Sequence, residues 1–141
     1  MMGYDSLFFT GDDDSAMVKQ ALAEDRILLT RDTGIIKRRV VSTGQLRAIL
    51  FHSDEPERQM RQLLAEFDLI GQACPFTLCL ECNQPLVERS LDEVRDRVPP
   101  YVFSTQTQYM ECPSCRRIYW RGTHWQAMKR KLQKLAKENQ A

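Results

Sequence analysis

The sequence predicts an α/β fold, a short parallel sheet with helices, followed by a small β domain and a C-terminal helix. Three observations carry this. Strand and helix signals alternate over residues 4–67, all five cysteines fall at 74 or later, and an amphipathic run closes the chain. Repeated strand–helix units of this length imply parallel strands covered by helices. The expected boundary divides an α/β domain over 1–73 from a cysteine-bearing domain over 74–141.

Taken in order, Ser6–Thr10 is a short apolar run, and Asp14 and Ser15 are good helix N-caps. Met17, Val18, Ala21 and Leu22 follow at helical spacing. Arg26–Thr30 reads as a buried strand, continuous in apolar character as parallel strands are. Ile35–Val40 is expected as a short helix and Ala48–Phe51 as a second strand. Pro56 suits a first helical turn, with Met60, Leu63, Leu64 and Phe67 on one face. So few strands make a thin sheet, which a protein partner or a second copy is expected to complete. Beyond Cys74, Tyr101–Phe103, Gln108–Glu111 and Arg117–Trp120 read as short strands. A last helix starts at Thr123, with a capping box to Gln126 and an apolar face of Trp125, Met128, Leu132 and Leu135.

Composition narrows the class. Hydrophobic residues at 43% and charged residues at 28% suit a globular protein rather than a disordered one. No apolar run reaches the ~18 residues of a membrane span. The start lacks a basic segment and an apolar core, so no secretory signal is expected and the cytoplasm is the expected compartment. The net charge of +1 hides an asymmetry. Residues 1–73 carry 9 Lys/Arg against 12 Asp/Glu, and residues 74–141 carry 11 against 7. A basic half of this kind suits phosphate docking, although ordinary surface variation also produces it.

The cysteines form two Cys-x-x-Cys pairs, Cys79/Cys82 and Cys112/Cys115, with 29 residues between them. Two intervening residues allow a tight turn that aims both thiolates at one ion, and two such turns close a tetrahedral site. That pattern suits structural Zn²⁺ and the hairpins of a zinc ribbon. An iron–sulfur cluster and redox-active thiols are the alternatives. Cys74 is left over and reads as a plain thiol.

Asp32 follows the Arg26–Thr30 strand, at the sheet edge where open α/β folds bind ligands. Asp14 opens the helix leading into that strand, so both carboxylates are expected at one edge. Oxygen ligands there suit Mg²⁺ or Mn²⁺ for phosphodiester hydrolysis. On the plainer reading Asp14 caps a helix and Asp32 belongs to a turn. In the second half, Arg130, Lys131 and Lys134 make the last helix basic, and His124 stands at its start where anions are attracted. Beside Arg116, Arg117, Arg121 and the aromatic Tyr119, Trp120 and Trp125, they suit RNA, whose phosphates pair with basic groups and whose unpaired bases stack on aromatic rings. A solvated helix face is the alternative for the basic run, and a structural histidine the alternative for His124.

The strings GYDSLFFTGDDDSAMVKQALAEDRILLTRD, CLECNQPL and CPSCRRIYWRGTHWQAM, in that order, resemble the Mut-seven C-terminal ribonuclease family, from Gly3 to about Leu132. The resemblance implies a PIN-like, metal-dependent nuclease domain over 1–73 and a zinc ribbon over 74–141. It implies catalytic roles for Asp14 and Asp32, and substrate contacts for Arg31 and Arg38. In that family a strand with another aspartate and a helix precede the segment that Met2–Asp5 matches. The PIN-like domain is therefore expected to be truncated at its N-terminus and weak in cleavage. The expectation is a ribonuclease-like protein with an RNA-binding zinc ribbon. A non-enzymatic module, RNA-binding, ribosome-associated or protein-docking, is the alternative.

Overall fold

The computed structural model describes residues 2–140. Its helices and strands fall into two compact units, one of Phe8–Leu63 and one of Met1–Leu7 with Leu64–Ala141.

In the first unit, helix α1 (Asp14–Ala23) is capped by Asp13, whose carboxylate accepts the Ser15 N–H at 2.8 Å. The cap thus sits one residue earlier than Asp14, which is the first helical residue. Strands β1 (Leu28–Thr30) and β2 (Ala48–Leu50) pair in parallel, Leu28 opposite Ala48 and Thr30 opposite Leu50. Parallel strands need a crossover of a dozen or more residues. Residues 31–47 supply it as two single turns, α2 (Thr33–Ile36) and α3 (Arg39–Ser42), rather than one helix. Arg38 at their junction is extended, with φ −61° and ψ 141°, which breaks the expected run. Val18, Ala21, Leu28, Ile35 and Leu46 form the buried core. Helix α4 (Pro56–Glu66) starts at its proline as expected, and Gln62 donates to the Leu50 carbonyl at the end of β2. Ser6–Thr10 forms neither strand nor helix.

The second unit holds an antiparallel sheet, β3 (Val87–Arg89), β4 (Tyr109–Glu111) and β5 (Ile118–Tyr119), in the order β3-β4-β5. Between β3 and β4 lie α5 (Leu91–Val94) and α6 (Pro100–Thr105). The strand expected at Tyr101–Phe103 is thus a helix. Pro100 supplies a preset φ at the first turn, and the Phe103 N–H closes on the Pro99 carbonyl at 3.0 Å, overriding the β preference of an aromatic, β-branched run. Val102 and Phe103 pack on the core of Val94, Val98 and Tyr109, while Tyr101 is 77% exposed. Ser90 and Glu93 form the capping box of α5. None forms at Thr123, which is itself the first residue of α7 (Thr123–Gln140), and the Gln126 N–H goes to the Gly122 carbonyl.

The leading residues 2–7 belong to this second unit through specific bonds. The Cys74 N–H donates to the Met2 carbonyl, Tyr4 donates to the Leu69 carbonyl, and the Ser6 N–H donates to the Asn83 side chain. The position 73/74, where composition changes, therefore runs inside the unit. Among the described residues no helix is long and apolar enough to cross a membrane.

Candidate metal centre and nucleic-acid surface

Both cysteine pairs fold into the same turn. In the first, the Asn83 N–H donates to the Cys79 carbonyl at 2.9 Å and the Cys79 N–H donates to the Gln84 carbonyl at 2.9 Å. In the second, the Arg116 N–H donates to the Cys112 carbonyl at 2.9 Å and the Cys112 N–H to the Arg117 carbonyl at 3.0 Å. The residue after each second cysteine is left-handed, Asn83 at φ 54° and Arg116 at φ 66°. Asparagine tolerates that region readily, and arginine is held there by its neighbours.

The two turns bring all four sulfurs within 4.8 Å of one another, the one such group of cysteines, histidines and acids among the described residues. All five cysteines are free of disulfides. Cys79 Sγ and Cys115 Sγ are 3.7 Å apart. A tetrahedron with metal–sulfur bonds of ~2.3 Å has edges of about 3.8 Å, so the donor set fits a closed four-sulfur site. Its electrostatics agree. Burial pushes the Cys79 thiol up, but hydrogen bonds from Tyr119 and from backbone N–H groups outweigh it and bring the thiol down to about 6. The Cys115 hydrogen bond, with burial and Cys112, pushes Cys82 up to about 12. Sulfurs this close cannot all ionise without a cation among them.

Two further groups buttress the site. The Tyr119 hydroxyl accepts the Leu80 N–H at 3.1 Å and lies 3.1 Å from Cys79 Sγ. A thiolate only accepts, so beside a metal-bound Cys79 the tyrosine proton points at sulfur. Glu111, one residue before Cys112 and 1% exposed, receives Arg89 Nε and Arg97 Nη2 at 2.7 Å each and Arg116 Nε at 3.0 Å. Arg97 also donates to the Arg116 carbonyl at 3.0 Å. The Arg97 guanidinium holds the Glu111 carboxyl down to about 2, against the cost of burial. Sequence reasoning missed both residues. A lone Tyr or Glu in a strand carries no spacing signal, because its partners lie in other segments.

The acidic residues sit differently. Asp14 is exposed at the first position of α1. Asp32 caps α2, accepting the Gly34 N–H at 2.7 Å, while its own N–H donates to Thr30 Oγ1 at 3.0 Å. Arg38 Nη1 donates to Ser15 Oγ at 3.1 Å, which ties the α2–α3 junction to the first turn of α1. Arg31 is exposed just after β1. Among the described residues no third acid or histidine joins Asp14 and Asp32 as a metal-binding group.

His124 is exposed at the start of α7. Arg130, Lys131 and Lys134 are exposed along it, Lys134 lying 4.0 Å from Glu138. Trp125, Met128, Leu132 and Leu135 are among its less exposed residues, as their spacing predicts, and Leu135 is buried.

A small parallel α/β unit is joined to a ribbon-like antiparallel unit, whose four cysteines could hold a metal ion, and to a basic helix. The chain belongs to the Mut7-C RNAse domain family, whose model matches residues 1–132. No curated protein and no solved structure matches it.

Proposed function

We propose that the protein acts on RNA as a metal-dependent ribonuclease, with Zn²⁺ in the Cys79, Cys82, Cys112 and Cys115 quartet as a structural ion. The observation that carries this reading is the family match, which spans both the α/β unit and the ribbon. Thiolate softness and four-coordinate closure favour zinc over the hard cations, and leave no open position for chemistry. The ribbon and the basic face of α7, with Arg130, Lys131, Lys134 and His124, hold the phosphates.

Cleavage is assigned to Asp14 and Asp32, with Arg31 and Arg38 steadying the strand. Mg²⁺ and Mn²⁺ commonly use one or two carboxylates and complete their shell with water and substrate phosphate, so two acids fit such an ion. When bound it supplies charge neutralisation at the scissile phosphate and a more acidic water. The Gly34 N–H and the first turn of α2 fix the Asp32 carboxylate in one orientation. The Arg38–Ser15 bond holds the start of α1 in place. The test is cleavage of end-labelled single-stranded RNA with Mg²⁺ or Mn²⁺. Activity lost in Asp32→Asn, with metal content and fold unchanged, supports the assignment. Equal activity in that variant removes Asp32 from it.

A second reading is a non-catalytic RNA-binding module. The absence of a third acidic ligand among the described residues favours it. RNA binding without cleavage under any divalent ion would select it.

A further inference from the structure

Within the second unit, a groove runs between residues 70–75 and the first turns of α7. Ile70, Ala73 and Pro75 form one wall and Met128 and Leu132 the other, enclosing about 260 Å³. The cations at its rim are arranged unusually. The Arg121 guanidinium carbon lies 5.3 Å from the Phe76 ring centroid and 5.2 Å from that of Trp125. Lys129 Nζ lies 5.3 Å from the Trp125 centroid. Neither cation makes an ion pair among the described residues, although several carboxylates elsewhere in the unit are paired.

An apolar slot edged by ring-bound cations without counter-ions calls for a ligand with a flat apolar body and an adjacent anion. A nucleotide has that form. Gln133, also in the lining, offers both an amide donor and a carbonyl acceptor to a base edge. Residues 125, 129, 133 and 137 recur every four positions, so Trp125, Lys129, Gln133 and Lys137 follow one face of the helix. Such a line can track a phosphate backbone leading away from the slot.

We propose that this groove takes one unpaired base of single-stranded RNA, with the neighbouring phosphate on Arg121 and Lys129. The proposal rests on the RNA-binding reading above and adds to it a base-accepting site. A paired base cannot enter, because its faces are stacked and its edge is occupied. The contribution is tolerant of sequence, since every base has a flat face.

The test uses the metal-loaded full chain and fluorescence anisotropy. The probes are a labelled single-stranded RNA, the same strand with abasic riboses inside it, and its duplex. Burial of one base should separate the intact and abasic strands by ~10-fold in affinity. Ala73→Phe, which fills the slot, should weaken the intact strand by about the same factor and leave duplex and abasic binding unchanged. Arg121→Ala should lower the slope of log affinity against log salt by ~1. Retained metal content in each variant establishes that the ribbon is intact. Equal affinity for intact and abasic strands, with no effect of Ala73→Phe, overturns the groove while leaving RNA binding on α7 in place. Absence of RNA binding overturns both. Sensitivity to Ala73→Phe with an acidic, tryptophan-containing peptide but not with RNA makes the groove a protein-docking site and also overturns the proposal.

Discussion

Replacing Glu111 by alanine removes the acceptor of three guanidinium groups at once. Arg89 and Arg97 approach it at 2.7 Å and Arg116 at 3.0 Å, in a site where the carboxylate is 1% exposed. Removing one partner of a buried ion pair costs about 3–5 kcal/mol, mostly because the other charge is stranded. Here the arginines are 27%, 34% and 63% exposed, so they regain part of their hydration by turning outward. That places the loss near the lower end, about 3 kcal/mol. Glu111 lies opposite Val87 and Ile118 in the sheet and next to Cys112, so the loss should appear in the ribbon. Urea unfolding of the metal-loaded protein, followed by far-UV circular dichroism, reads it directly. With a slope of ~2 kcal/mol per molar urea, the midpoint should fall by about 1.5 M. Glu111→Gln keeps the shape and loses the charge, and should fall between wild type and alanine. A change of under ~0.5 kcal/mol in Glu111→Ala, the range of an ordinary surface substitution, would refute the reasoning.

Other substitutions test separate parts of the account. A Cβ on Gly3 would lie 1.9 Å from the Cys74 carbonyl oxygen at a φ of +82°, so Gly3→Ala should destabilise the protein by ~1–3 kcal/mol and speed proteolysis near the N-terminus. Tyr119→Phe removes the hydroxyl next to Cys79 and should weaken metal affinity ~10-fold or more, measured by competition with a chromophoric chelator. Unchanged affinity would reduce the hydroxyl to a bond for the Leu80 N–H. Cys112→Ser should lose the metal and the ribbon fold, whereas Cys74→Ser should keep both, because Cys74 lies outside the sulfur quartet. A Cys74→Ser protein without metal would show that the four ligands are misassigned.

Local chemistry was legible in the sequence, and long-range partnership was not. The two Cys-x-x-Cys turns could be read because two residues between thiolates already dictate a metal-ligating loop, and the structure closes them together. Strands β1 and β2 and helices α1 and α4 were visible because period and caps lie within each segment. Tyr101–Phe103 misled because aromatic and β-branched residues favour strands in general, while Pro99 and Pro100 decide the backbone there. The Ser-x-x-Glu pattern of Ser90 and Glu93 carries its capping box within four residues, whereas Thr123 lies already inside α7 with glycine before it. Docking of residues 2–7 on Cys74 and Asn83 could not be read, since the pairs are more than seventy positions apart. For the acidic residues the sequence places Asp14 and Asp32 at element starts, and the structure gives Asp32 a capping bond.

The central claim is that one zinc ion organises the ribbon. Elemental analysis of the protein purified without added metal tests it most directly, combined with circular dichroism before and after a strong chelator. One zinc per chain is expected, and its removal should unfold the ribbon, because binding of ~10–16 kcal/mol is also folding free energy in small metal domains. Protein that is metal-free and fully folded, or that carries iron in place of zinc, would contradict the account.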